Sequence, residues 1–108
     1  MYSPNEIATE KIVALQDRAR NEPRDLYDLW FLTSHAGVEI DHLIGAVTEK
    51  LRFRERDIVG AEDRIIAKEA RLKALWIGRL AHQMEALPQY DELFRTVRRE
   101  LRQAGIPQ

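Results

Sequence analysis

Arg24-Asp25-Leu26-Tyr27-Asp28-Leu29-Trp30 is the stretch whose reading decides the fold. Leu26, Tyr27, Leu29 and Trp30, continued by Phe31 and Leu32, put apolar side chains on more than one face of a helix drawn through it. A helix of that kind belongs at the centre of a bundle, against several neighbours. The same stretch carries Arg24, Asp25 and Asp28. Burying charge is costly unless it is paired or coordinated. These residues therefore form either an internal ion-pair network or the lining of a polar site. Asp25 and Asp28, at i and i+3, share one helix face. Paired carboxylates suit a general base or a cation, and acidic residues also suit the first turns of a helix.

Working outward, both flanks read as helix boundaries. Asn21-Glu22-Pro23 breaks the chain before the stretch and Ala36-Gly37 supplies a C-cap after it, so this helix runs from about Arg24 to His35. Upstream, Ser3-Pro4-Asn5-Glu6 is a capping box with proline at the first helical position. Ile7, Lys11, Ala14, Leu15 and Arg18 follow at helical spacing and predict a first helix ending near Arg20. Lys11 and Arg18 would then share a face across the small Ala14. That strip either faces phosphate or is solvated and paired with Glu10, Asp17 and Glu22.

Downstream, Asp41 is placed to cap a third helix bearing Leu43, Ile44, Val47, Leu51 and Phe53. The charged run Arg52 to Asp57, with Gly60 behind it, reads as a connection. A long fourth helix then carries Ile65, Leu72, Leu75, Trp76, Leu80, Met84 and Leu87, with Gly78 marking a close helix crossing. Pro88 sets off a last helix with Leu93, Phe94, Val97 and Leu101, ended by Gly105-Ile106-Pro107. No alternating strand pattern and no hairpin signal occurs. The expected fold class is all-α: a compact bundle of about five helices, one domain over residues 1–108.

With 44% hydrophobic and 32% charged residues, general disorder is excluded. No apolar run is long enough to span a bilayer and no signal-peptide pattern is present. The absence of cysteine excludes a disulfide framework, a thiolate metal site and a thiol nucleophile. A cytoplasmic location with no membrane partner is the expectation. Seventeen basic and eighteen acidic residues give a net charge of −1, so any nucleic-acid contact needs a local patch. The densest such patch is Arg95, Arg98, Arg99 and Arg102, at i, i+3, i+4 and i+7 of the last helix. It suits either phosphate or a solvated helix C-terminus. His35, His42 and His82 lack metal-ligand spacing, so no metal site is expected within the chain. No P-loop, dinucleotide fingerprint or nucleophile elbow occurs. Trp30 and Trp76 sit at core spacing.

Glu6-Ile7-Ala8-Thr9-Glu10-Lys11, Ala14-Leu15-Gln16-Asp17-Arg18 and Arg24-Asp25-Leu26-Tyr27-Asp28-Leu29, taken together, resemble one family. It is that of the AbiEii/AbiGii-type nucleotidyltransferases, toxins of abortive-infection and type IV toxin–antitoxin systems. Their later motifs read roughly E-I-L-A-E-K, A-L-x-x-R and R-D-L-Y-D-L, in this order and at this spacing. Trp76 and the stretch from Pro88 to Phe94 are similar to the family's C-terminal helical region.

The resemblance implies that Lys11 contacts nucleotide phosphates and that Asp25 is the site aspartate, a base or an activator of the acceptor. It leaves Asp28 as the alternative for that role, gives Arg24 a supporting place and makes Arg18 a second cation. It also implies Mg²⁺ and a nucleoside triphosphate for the complete enzyme, RNA (tRNA in some members) as acceptor, and an antitoxin partner. The face from Arg95 to Arg102 becomes a candidate RNA-backbone contact. The family's Gly-Ser motif and its metal-holding Asp-x-Asp pair are not in this sequence. The expected role is therefore a C-terminal helical domain, inert alone, that completes a site with an N-terminal nucleotidyltransferase domain or a separate chain. Beside it stand two other readings. One is a helical interaction module, a homodimer, whose charged motif fixes helix register. The other is a small nucleic-acid binder.

Overall fold

The first helix starts where its capping box places it. Ser3 Oγ accepts the Glu6 N–H at 3.1 Å, and Pro4 is the first helical residue. The computed structural model describes residues 3–83 and 86–106. Among these the chain forms α1 (Pro4–Ala14), α2 (Pro23–His35), α3 (Ile44–Phe53), α4 (Ala61–Ile66), α5 (Glu69–Leu80) and α6 (Tyr90–Gln103). A 3₁₀ turn, Ile40–Leu43, leads into α3. The described residues include no strand, so the all-α expectation holds.

The apolar α2 is central, as its composition requires. It packs against α1, α5 and α6, and α1 packs in turn against α3. Leu26 and Leu29 are fully buried, and Tyr27, Trp30 and Leu32 pack partly buried against the same core. At its end the Ala36 and Val38 N–H groups both donate to the Leu32 carbonyl, with Gly37 at φ 74° making the reversal. α6 buries Tyr90, Leu93, Phe94, Val97 and Leu101 on a single face. Tyr90 joins it to α5: the ring meets Trp76 edge-on at 5.4 Å, and its hydroxyl donates to the Glu69 carbonyl at 3.2 Å. The Trp76 indole N–H donates to Pro88 O at 2.9 Å. All six helices contribute to one hydrophobic core. The radius of gyration is 13.1 Å, against about 13 Å for a compact chain of this length.

Several boundaries differ from expectation, and two share a cause. α1 ends at Ala14, not near Arg20, and the anticipated long fourth helix is broken between Ile66 and Glu69. Lys68 sits at that break, buried, with its ammonium donating to Ala14 O at 3.4 Å and Asp17 O at 3.0 Å. Arg56 donates to Gln16 O, and Arg64 grips the Gln16 side-chain oxygen. Cations distant in sequence thus take the carbonyls at the end of α1 and stop it there. Asp41 lies inside the 3₁₀ turn, and no side chain caps α3. Phe53 is 93% exposed and not part of the core. A Cβ at Gly78 would meet nothing within 4 Å, so that glycine marks no close crossing. α5 stops at Leu80; Leu87 packs against the core from the following loop, and Met84 and Pro107 lie outside the described residues.

Candidate functional site

α1 and α2 pack against each other, and their facing charges meet. Lys11 Nζ lies 3.3 Å from Asp25 Oδ1 and 3.1 Å from Asp28 Oδ2. Arg24 Nε donates to Asp28 Oδ1 at 2.8 Å, an i, i+4 pair within α2. Of the residues expected at a site, the structure therefore joins Lys11, Arg24, Asp25 and Asp28. Arg18 is left out. Because α1 ends at Ala14, the face shared with Lys11 does not continue, and Arg18 lies exposed in the connecting loop.

Arg20 takes the place that sequence reasoning assigned to Arg18. Its guanidinium grips Asp25 with two contacts, Nε to Oδ2 at 2.6 Å and Nη2 to Oδ1 at 3.1 Å. A bidentate arginine–carboxylate pair is strong and directional. The hydrogen bond to Asp25, then its charge, hold Arg20 above the usual arginine range. The hydrogen bond to Asp28 does the same for Arg24. Asp25 is 1% exposed, whereas Asp28 is 23% exposed, so the first is an internal anchor and the second reaches solvent. The spacing of Arg20 and Asp25, across Pro23, follows no helical rule, and so carried no signal.

The carboxylate oxygens of Asp25 and Asp28 each contact a cation of this chain. That donor set does not fit Mg²⁺, which wants open carboxylate oxygens in near-octahedral array. Among the described residues, one group meets the geometric requirement for a metal: the exposed Glu39, Asp41 and His42. His42 there lies 3.3 Å from Glu39 as an ordinary i, i+3 surface pair.

A second charged cluster binds α4 to α6. Glu62, 1% exposed, accepts Arg98 Nε at 3.3 Å and Arg102 Nε at 2.7 Å through Oε1. Its Oε2 is buried without a partner. Arg95, Arg98, Arg99 and Arg102 do line one concave face, as their spacing predicted, but with Glu69 and Asp91 on the same rim. Two of the four guanidiniums are thus engaged by Glu62. The sequence contained no sign of this, since Glu62 reads as an ordinary first-turn acid.

The spacing of the three motifs, and the contact between the first and the third through Lys11, Asp25 and Asp28, point the same way as a family comparison. The family described as nucleotidyl transferase AbiEii toxin, type IV TA system, matches residues 1–100. The chain belongs to the AbiEii family. That match spans α1 to α5 and most of α6, and so takes in the whole of the Lys11 cluster. No curated protein and no solved structure matches the chain. No helix among the described residues is long and apolar enough to cross a membrane.

Proposed function

We propose that this chain is the helical part of an AbiEii-type nucleotidyltransferase toxin, inert alone, which completes a site with a nucleotidyltransferase module. That module is carried either N-terminally in the same polypeptide or by a separate chain. The observation that supports this reading best is the meeting of Lys11, Asp25 and Asp28 across α1 and α2. Within the cluster, Asp25 is a positioning residue. Clamped by Arg20, it holds the Lys11 ammonium at the surface, where a phosphate oxygen can reach it. Arg24 does the same for Asp28 and adds a partly exposed cation.

Asp28, nearer solvent, is the carboxylate that an acceptor hydroxyl can approach. It accepts the hydroxyl proton as the acceptor oxygen bonds the α-phosphorus and the bond to the departing pyrophosphate breaks. A nucleoside triphosphate is the phosphate donor on this reading and RNA the acceptor. Mg²⁺ would be held by residues outside this chain, and when bound it would supply charge neutralisation at the phosphates. The family's toxin–antitoxin character adds an antitoxin partner, and the Arg95 and Arg99 guanidiniums are available to an RNA backbone.

The test is nucleotide transfer to RNA by the complete native assembly carrying Lys11→Met or Asp28→Asn. Transfer should fall at least about 100-fold for either, a loss of about 2.7 kcal/mol of transition-state stabilisation, with the helical circular dichroism unchanged. Transfer retained in both variants would reduce the cluster to a structural ion-pair network.

A further inference from the structure

The junction of the α1–α2 loop with the start of α5 forms a concave site of about 340 Å³. Arg18, Asn21, Ala67, Lys68 and Arg71 line it, and no carboxylate does. Arg18 and Arg71 are exposed, and neither has an ion-pair partner among the described residues. That separates this site from the α6 groove, where carboxylates neutralise part of the charge. Three acids adjoin lining residues in sequence: the Asp17 carboxylate is turned onto the Ala19 N–H and toward Arg56, that of Glu22 accepts the Arg24 N–H and pairs with Arg79, and Glu69 lines the α6 groove. Asp25 is occupied by Lys11 and Arg20.

We propose that Arg18, Lys68 and Arg71 form a phosphate-binding site separate from the Lys11 cluster. Two arginines from different elements line a single volume, and the planar guanidinium fork is the group that suits phosphate oxygens. Lys68 forms the wall between them. An ammonium has three N–H donors, and the carbonyls of Ala14 and Asp17 take two of these, leaving one for a ligand. Asn21 adds a neutral amide donor. No side chain caps α5, so its positive end adds to the field around Lys68 and Arg71. A phosphate held here ties the α1–α2 loop to α5. Arg18 is two residues from Arg20, the residue that clamps Asp25. The anion site stands on this chemistry alone; only its assignment to an RNA acceptor rests on the proposed function.

The experiment is binding by the full chain of two probes, inorganic triphosphate and a short labelled single-stranded RNA, with and without Arg18→Gln/Arg71→Gln. Both residues are exposed, and unchanged circular dichroism will show that the variant folds. The double variant should bind at least about 10-fold more weakly, and the RNA salt slope should fall by about 1.4, or about 0.7 per lost phosphate contact. Loss with both probes, or with triphosphate alone, assigns the site to a free phosphate group. Loss with RNA alone assigns it to the phosphodiester backbone. Unchanged binding of both probes overturns the proposal, as does the absence of any binding by the unaltered chain. Lys50→Gln, at a surface cation paired with Glu10 and outside both clusters, should leave both affinities unchanged; transfer is measured separately on the complete assembly, so failure of the transfer reading does not affect this result.

Discussion

At the scale of single residues, Asp25 and Asp28 look alike in sequence and differ in the fold. Asp25 is buried between Lys11 and Arg20, so its removal leaves two cations around a hole. Asp25→Ala should cost about 2–4 kcal/mol in urea unfolding, toward the low end of the range for a broken buried pair because Arg20 is half exposed. Asp28→Ala, with partners that can rehydrate, should cost less than about 1 kcal/mol. Equal costs would mean that the burial difference does not carry the energetics. Tyr90 gives a pH signature. Burial, then the nearby Glu69 and Asp91, push its phenol well above the ordinary tyrosine value. As pH rises past about 10, the unfolded chain loses this proton first while the folded chain keeps it. Stability therefore falls with rising pH on the alkaline side. Tyr90→Phe should flatten that limb, and an unchanged slope would show that other groups dominate it.

At the scale of elements, apolar periodicity made α2 and α6 legible. Leu26 and Leu29, and Leu93, Phe94, Val97 and Leu101, are buried as their spacing demanded. The capping box at Ser3 was equally readable because its partner lies three residues away. The end of α1 and the break between α4 and α5 were not. Both depend on Lys68 reaching carbonyls more than fifty residues earlier, and burial lowers the pKa of this lysine. Lys68→Met should strand the carbonyls of Ala14 and Asp17 at a cost of about 1–3 kcal/mol. Hydrogen exchange in residues 15–22 should quicken while α6 stays protected. Uniform quickening across all helices would mean that the junction is not a local unit.

At the scale of the whole molecule, the shared core leaves several large apolar side chains outside. Ile7 is one helical turn before Lys11 and Phe31 three residues after Asp28, and they are 37% and 45% exposed. Tyr27 stacks on Phe31 at 6.3 Å. On the proposed function, this apolar rim beside the charged cluster is the docking face for the nucleotidyltransferase module. Ile7→Ser/Phe31→Ser should weaken association with that module at least about 10-fold, about 1.4 kcal/mol. The chain's own unfolding free energy should change less than in Asp25→Ala. Full retention of that association would place the interface elsewhere.

The sequence by itself determined the helical class, the central place of α2, the burial of α6 on one face and the family. Through the family resemblance it also marked Lys11, Arg18, Arg24, Asp25 and Asp28 as a set. Each of these follows from short-range patterns: periodicity, caps and motif spacing act within a turn or two of helix. Only the tertiary structure decided that Arg20 and not Arg18 clamps Asp25, that Glu62 engages two arginines of α6, and that Lys68 ends one helix and breaks another. Those choices rest on charges brought together across long separations, where the gain of pairing or desolvation depends on which helices meet.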